Sequence, residues 1–310
     1  MSTVLPSNEE CYRLYYEEGR HGSKELIVRL LAHSKGRGLL ERRFEKNFRH
    51  QFHELFWELY LAAALDQVGF YLQRGKHDSP EPDFLSLIGE GKPTIFLEAV
   101  ACSNPTEPGN RVPSPSQEEE SDFEEGFAPS GKIAQRIAQA IDSKIANLTR
   151  PTALTAMQRP GNYYAVIAVN GCRALNGHPH NNPGLPFLPF VGQALFGAVE
   201  QRVNQAGQTV WTTSDRMRKS PADGASFPVG HFSKPTWETK NPKTKAKVTV
   251  STTHIAGVLY SQVSAEDTAP PLGYDFVYFQ NPHGPDATPI FKFCQGGVWI
   301  KEGQELIRFA

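Results

Sequence analysis

An apolar run with an acid at its centre constrains this chain more than any other feature. Residues 94 to 102 have the sequence TIFLEAVAC, which is typical of a buried β-strand, and Glu98 stands in the middle. Burying an unpaired carboxylate costs several kcal/mol, so a cation or strong hydrogen-bond donors must meet Glu98. A second acid, Asp83, opens the preceding predicted strand. The pattern therefore predicts a polar site built on two neighbouring strands.

Length, net charge and cysteine content restrict the kinds of protein that this sequence can encode. The 310 residues can bury a large core, and the formal net charge of −1 means that any surface for a polyanion must be local. Four widely spaced cysteines without a CxxC pair argue against a zinc site or a disulfide scaffold, and they fit a reducing compartment. The sequence shows no secretory leader and no membrane-spanning apolar run, so we expect a cytoplasmic protein without a membrane partner.

Helical and strand patterns alternate along the chain. The predicted helices cover 8–33 with a break near 19–22, 39–68, 130–148 and 190–205. The predicted strands lie near 70–73, 83–88, 94–102, 163–171, 248–252, 254–262, 275–280, 289–294 and 297–301. This order predicts an α/β or α+β fold with a central mixed sheet flanked by helices.

The segment between the third strand and the next helix has a different composition. Residues 103–131 are rich in Pro, Ser, Gly and acidic side chains. We expect 104–129 to be mobile, to carry no catalytic group, and to act as a negatively charged gate over the site that substrate displaces. Deleting this loop should leave the fold intact.

Two helices present polar side chains at or inside their apolar faces. Glu58 lies at the edge of the stripe formed by Phe48, Phe52, Leu55, Leu59 and Ala62. Lys144 falls inside the isoleucine face of helix 130–148, whereas Lys132 points the opposite way. Each has a structural alternative, because Lys144 could snorkel to its helix end and Glu58 could be an ordinary edge charge.

Two carboxylates on adjacent strands can share a hard divalent cation. Oxygen ligands suit Mg²⁺ or Mn²⁺, so Asp83 and Glu98 are the candidate ligands. Such an ion lowers the pKa of a bound water and neutralises charge on a phosphate, and a nearby lysine stabilises developing negative charge. Without the ion, we expect the acids to repel one another and to raise the pKa of at least one of them.

The order of these motifs resembles the core of the PD-(D/E)XK nuclease superfamily, which has the restriction-endonuclease-like fold. The segment FWELYLAAALDQVGF carries Glu58, PDF carries Asp83, and FLEAVA carries Glu98, in the family's order of helix acid, aspartate and second acid. The chain departs from the pattern at Val100, where the family has its lysine. The helix QRIAQAIDSKI resembles that of members with a relocated lysine, which would be Lys144.

The resemblance implies a metal-dependent endonuclease that hydrolyses DNA. Asp83 and Glu98 would then hold Mg²⁺ or Mn²⁺ together with the carbonyl oxygen of Val100, and Glu58 and Lys144 would complete the catalytic set. Gln135 and Arg136 are weaker candidates on the same helix. The resemblance implies one domain, with its core at 45–205, an N-terminal helical extension at 1–44 and a C-terminal mixed extension at 206–310.

Alternatives to this function remain open. The absent strand lysine also suits a catalytically inactive member of the fold that binds nucleic acid or a protein, and RNA is a third possible target. The oligomeric state is open, with a homodimer as one option. The loop histidines His178 and His180, and the basic stretches 35–50 and 240–247, are weaker candidates for a metal site and for phosphate contacts.

Overall fold

The structure, a computed structural model, describes residues 6–40, 44–75, 81–87, 94–103, 130–148, 163–175, 190–203, 209–214, 230–240, 247–268 and 271–309. The predicted acidic loop 104–129, His178, His180, residues 241–246 and the side chain of Lys132 lie outside the described residues.

The helices that flank the site are close to those predicted. Among the described residues the α-helices are α1 (Asn8–Cys11), α2 (Ser23–Gly36), α3 (Phe44–Phe48), α4 (Phe52–Gln67), α5 (Ser130–Leu148), α6 (Cys172–Leu175) and α7 (Phe190–Phe196). A π-helical stretch over Tyr12–Glu17 and a 3-10 turn at Arg20–Gly22 connect α1 to α2. Gly69 ends α4 as predicted, because its φ of 90° is a left-handed value that favours glycine.

The strands form one large mixed sheet. They are β1 (Tyr71–Arg74), β2 (Phe84–Leu87), β3 (Thr94–Ala101), β4 (Tyr163–Asn170), β5 (Ala198–Val203), β6 (Thr209–Ser214), β7 (Thr236–Lys240), β8 (Lys247–Ser251), β9 (Ile255–Ser261), β10 (Val277–Gln280), β11 (Val298–Glu302) and β12 (Glu305–Phe309). Within the described ranges, ten of them join in the order β1-β2-β3-β4-β9-β10-β11-β12-β6-β5, while β7 and β8 form a separate hairpin.

The strands around the site run in both directions. β1, β2 and β3 are an antiparallel meander, and β3 pairs in parallel with β4, which in turn pairs in parallel with β9. The crossover from β3 to β4 passes through α5. The predicted α/β fold with a helix-flanked mixed sheet is therefore confirmed, and the chain order around the site is α4-β1-β2-β3-α5-β4.

Helices cover both faces of this sheet, and a separate core lies on each face. The α4 stripe and Trp57 belong to one core, and the indole Nε1 of Trp57 donates to the carbonyl of Ala168 on β4 at 3.1 Å. The other core holds the four predicted isoleucines of α5, which are Ile133, Ile137, Ile141 and Ile145. The side chains of successive β3 residues point into the two cores in turn. Phe96 packs towards α5, and Leu97 packs towards α4.

Three predicted elements differ from the structure. The helix expected over 39–68 is interrupted at Gln51, whose backbone is not helical, and the tilted rings of Phe48 and Phe52 on either side of the break have centroids 5.3 Å apart. The helix expected over 190–205 ends at Phe196, because Gly197 adopts a φ of 82° and β5 follows. The strand expected at 289–294 is a series of turns.

The last hundred residues contribute more to the central sheet than the predicted division into a core at 45–205 and a C-terminal extension at 206–310 implied. β9 lies directly beside β4, and every one of its residues is buried. Residues beyond 206 thus supply interior strands of the same sheet as β1 to β4. None of the described helices is long and apolar enough to cross a membrane.

Candidate active site

Strand register places Asp83 and Glu98 side by side. In the antiparallel pair of β2 and β3, Phe84 lies opposite Leu97, so one further step puts Asp83 opposite Glu98. Side chains directly opposite each other in such a pair project from the same face of the sheet. The Oδ2 atom of Asp83 accepts a hydrogen bond from the backbone N–H of Ala99 at 2.8 Å, which anchors its carboxylate at this position.

Lys144 approaches the two carboxylates from α5. Glu98 lies two residues after Phe96 and therefore faces α5, where Ile141 and Ile145 are fully buried on either side of Lys144. The Nζ atom of Lys144 lies 2.7 Å from Oε2 of Glu98 and 3.1 Å from Oδ2 of Asp83. The structure thus brings together three predicted site residues that are separated by up to 61 positions in the chain.

These three side chains are largely removed from water but not sealed from it. The exposed fractions are 24% for Asp83, 18% for Lys144 and 10% for Glu98. The site therefore combines weakly screened electrostatics with partial exposure of the charged groups to solvent.

The pKa of Glu98 is raised to about 7. Burial is the main cause, and the negative charges of Asp83 and Glu58 act in the same direction, whereas Lys144 opposes them. This outcome agrees with the expected repulsion between the acids. The site as described holds more negative charge near Glu98 than its one ammonium compensates.

Lys144 is held as a cation. Burial alone would lower the pKa of Lys144, but the charges and hydrogen bonds of Asp83 and Glu98 outweigh burial and raise it. The alternative in which Lys144 snorkels to the helix end does not describe this geometry, because its ammonium contacts both carboxylates.

Glu58 comes from α4, on the other helical layer, and its negative charge contributes to the raised pKa of Glu98. Its Oε2 atom accepts a hydrogen bond from Nη1 of Arg74 on β1 at 2.6 Å. The Arg74 guanidinium also lies over the ring of Phe84, 4.8 Å from its centroid. Arg74 was not among the predicted site residues, although a signal exists: it lies two residues after the buried Leu72 and so shares the strand face turned towards α4.

The directions of the β3 carbonyl groups determine which of them lies on the same side of the strand as Asp83. The N–H of Ala99 points to Asp83, whereas the N–H of Cys102 bonds to Asn170 on β4. Because N–H and C=O of one strand residue point to the same side, the carbonyl of Val100 points to β4 like that of Cys102. This geometry disfavours the predicted role of Val100, and the carbonyl of Ala99 is the one on the Asp83 side.

The donor set suits a hard divalent ion. Asp83 and Glu98 present carboxylate oxygens around one point, which the Lys144 ammonium occupies as the local cation. Burial raises the pKa of Glu98, and the negative charges of Asp83 and Glu58, which add to this effect, favour a further cation. Across the described ranges, no three His, Cys, Asp or Glu side chains group as a metal site, so the side chains that could hold an ion here are Asp83 and Glu98.

The weaker candidates lie apart from this cluster or are engaged elsewhere. Arg136 donates to Gln139 on its own helix and lies eight residues from Lys144, about 12 Å along the axis. Gln135, its neighbour, is half-buried. In the basic stretch 35–50, Arg37 pairs with Asp66 at 2.9 Å and Arg49 lies 4.0 Å from Glu9.

Comparisons with family models, with curated proteins and with solved structures find no match for this chain.

Proposed function

We propose that the chain is a metal-dependent nuclease that hydrolyses phosphodiester bonds in DNA. One observation carries the proposal: Lys144, from the crossover helix, contacts both Asp83 and Glu98 on adjacent strands. The order α4-β1-β2-β3-α5-β4 supports it, because it is the arrangement expected of the PD-(D/E)XK core that the sequence resembles.

Asp83 and Glu98 would hold Mg²⁺ or Mn²⁺, with the carbonyl of Ala99 as an additional oxygen. When bound, the ion supplies a water of lowered pKa and neutralises charge on the phosphate. The carboxylates keep their relative position because the Ala99 N–H anchors Asp83 and the sheet anchors Glu98. Their preorganisation means that little reordering accompanies substrate binding.

Lys144 would then change partners. With the carboxylates neutralised, its ammonium can donate to the attacking water or to a non-bridging oxygen of the scissile phosphate. In the ion-free site Asp83 and Glu98 raise the pKa of Lys144, so the lysine enters this role as a protonated hydrogen-bond donor. The buried isoleucines on either side restrict where the ammonium can reach.

The alternative is a catalytically inactive protein of the same fold. The valine at position 100 favours this alternative, because the family's strand lysine is absent there. The contact of Lys144 with both acids supports the enzyme instead, since a relocated lysine meets the same chemical need.

Incubation of the purified protein with supercoiled plasmid tests the proposal. We expect nicked or linear products with Mg²⁺ or Mn²⁺ and none with EDTA. A parallel arm with single-stranded RNA distinguishes the two nucleic acids. Intact plasmid under all conditions, together with binding of DNA in a mobility-shift assay, would support the inactive alternative.

A further inference from the structure

A buried histidine outside the carboxylate site contacts the helix that carries Lys144. The side chain of His231 is 5% exposed, and its Nε2 atom lies 3.1 Å from the carbonyl oxygen of Ala138 on α5. Its Nδ1 atom lies 3.4 Å from Oδ1 of Asp142, one turn further along the helix. Because a carbonyl oxygen only accepts hydrogen bonds, Nε2 carries a proton and donates it to Ala138. His231 thus makes a directional contact with the backbone of α5.

The contact with Asp142 lies on the side of α5 that faces away from the sheet. At about 100° per residue, Asp142 and Lys144 are about 200° apart around the helix axis, so they point in nearly opposite directions. Lys144 contacts the two carboxylates on the sheet, whereas the side chain of Asp142 is 51% exposed. The sheet and His231 therefore hold α5 from opposite sides.

The backbone around His231 is fixed to α7, which packs on the same face of the sheet. The N–H of His231 donates to the carbonyl of Ala194 at 3.3 Å, and the N–H of Phe232 donates to that of Leu195 at 2.7 Å. The fully buried ring of Phe232 belongs to the same core as the isoleucines of α5. The imidazole therefore reaches α5 from a segment that is itself held in place.

Apolar packing constrains the axial position of α5 less precisely than hydrogen bonds do. The isoleucine face is buried by the hydrophobic effect, which is non-directional. The ammonium of Lys144 meets two oxygen atoms at 2.7 and 3.1 Å, and hydrogen bonds of this length tolerate displacements of only a few tenths of an ångström. A hydrogen bond from a fixed imidazole to the helix backbone supplies the directional constraint that this geometry needs.

We propose that His231 is a positioning residue that fixes α5, so that Lys144 reaches Asp83 and Glu98. The inference rests on the proposed function and deepens it by assigning a residue outside the site to the placement of the Lys144 ammonium. His231 belongs to the predicted C-terminal extension at 206–310, so this region would contribute to the site as well as to the sheet.

Acetylation of Lys144 by a limiting amount of an N-hydroxysuccinimide ester tests this inference on the full-length, metal-free protein at pH 8. Peptide mass spectrometry gives the acetylation rate at Lys144, and single-turnover cleavage of plasmid in Mg²⁺ is measured in parallel. In the wild type the contacts with Asp83 and Glu98 keep the amine protonated and protect it.

Three substitutions of His231 separate its hydrogen bond to α5 from its bulk. His231→Phe removes both polar contacts, and His231→Asn removes the donor at the Nε2 position. Both variants should be acetylated at Lys144 at least about tenfold faster than the wild type, and should cleave plasmid at least about tenfold more slowly. His231→Gln keeps a donor near the Nε2 position, so both rates should stay within about threefold of the wild type.

Ser143→Ala is the matched control. The hydroxyl of Ser143 also donates to a carbonyl of α5, that of Ala140 at 2.7 Å, but it comes from the helix itself. This variant should keep the wild-type rates of acetylation and cleavage. Acetylation of the exposed Lys292 should be equal in all variants and checks the dose of reagent.

Three outcomes would overturn the inference. They are wild-type acetylation of Lys144 in a folded His231→Asn, fast acetylation in His231→Gln, and slower cleavage without faster acetylation. If His231→Phe does not fold, the comparison of His231→Asn with His231→Gln still decides the matter. A wild type that leaves plasmid intact while acetylation follows the expected order contradicts the nuclease and not the positioning role of His231.

Discussion

Opposing electrostatic influences act on the carboxyl group of Glu98. The ammonium of Lys144 at 2.7 Å favours its ionised form, while burial and two further acids disfavour that form. The influences that favour the neutral acid outweigh the effect of Lys144, and the pKa of Glu98 is raised to about 7. An additional cation near Glu98 would stabilise its ionised form. The site is therefore electrostatically more favourable with a bound ion than without one.

The raised pKa of Glu98 predicts how stability depends on pH. Its folded pKa of about 7 exceeds the ordinary value of 4.5, so its contribution to stability is fully present below pH 4.5 and is lost as pH rises through about 7. Glu98→Gln mimics the neutral acid and should therefore gain stability relative to the wild type between pH 5 and pH 8. We expect a difference on the order of a few kcal/mol in ion-free urea denaturation.

Two controls accompany this measurement. Glu54→Gln removes an exposed glutamate from α4 and should show no such pH-dependent difference. Addition of Mg²⁺ should abolish the advantage of Glu98→Gln at pH 8, because the ion stabilises the ionised wild-type carboxylate. A constant difference between variant and wild type from pH 5 to pH 8 would contradict the raised pKa.

At the scale of elements, the periodicity of apolar residues predicted the helix and the hairpin that carry the site. The isoleucine repeat predicted α5 over its full length, and the two apolar runs bounded by Asp83 and containing Glu98 predicted the hairpin of β2 and β3. The position of Lys144 within the isoleucine face was sufficient to direct it to the sheet. These predictions needed only a period of 3.6 or 2 residues and short connections.

Other features of the site depend on contacts that a local pattern does not encode. The pairing of Arg74 with Glu58 requires β1 to lie at the sheet edge next to α4, and the orientation of the Val100 carbonyl depends on which side of β3 receives β4. The resemblance to a family supplied Val100 as a ligand, whereas strand geometry favours Ala99.

The central position of β9 gives a test at the scale of a strand. A Cβ at Gly257 would lie 2.2 Å from the carbonyl oxygen of Phe279 and 2.5 Å from the hydroxyl of Tyr278, both in the adjoining strand. Gly257→Ala should therefore destabilise the fold by more than about 3 kcal/mol or abolish soluble expression. Gly36→Ala should be neutral or stabilising by up to about 1 kcal/mol, because no atom lies within 4 Å of its added Cβ in α2.

Thermal unfolding of both variants checks this prediction. Equal stability of Gly257→Ala and wild type would mean that β9 does not pack between β4 and β10 as the sheet order requires.

At the scale of the whole molecule, one sheet connects the candidate site to the end of the chain. β4 supports the site through its pairing with β3 and is itself paired with β9, a strand from about 90 residues later. Composition and periodicity indicated short strands in the last hundred residues, but not where they pair, because strand order depends on long-range contacts. The C-terminal region is therefore an integral part of the sheet that carries Asp83 and Glu98.

The central claim is that this fold assembles a nuclease site in which Lys144 serves the reaction. Single-turnover cleavage of supercoiled plasmid in Mg²⁺ tests it most directly, with Lys144→Ala compared with Lys292→Ala, which removes an exposed lysine elsewhere. We expect Lys144→Ala to lose at least about 100-fold in cleavage rate while DNA binding and the Mg²⁺-bound melting temperature stay close to wild type. Lys292→Ala should cleave like the wild type. Cleavage by Lys144→Ala at the wild-type rate, or a wild type that cuts no DNA with either ion, would contradict the account.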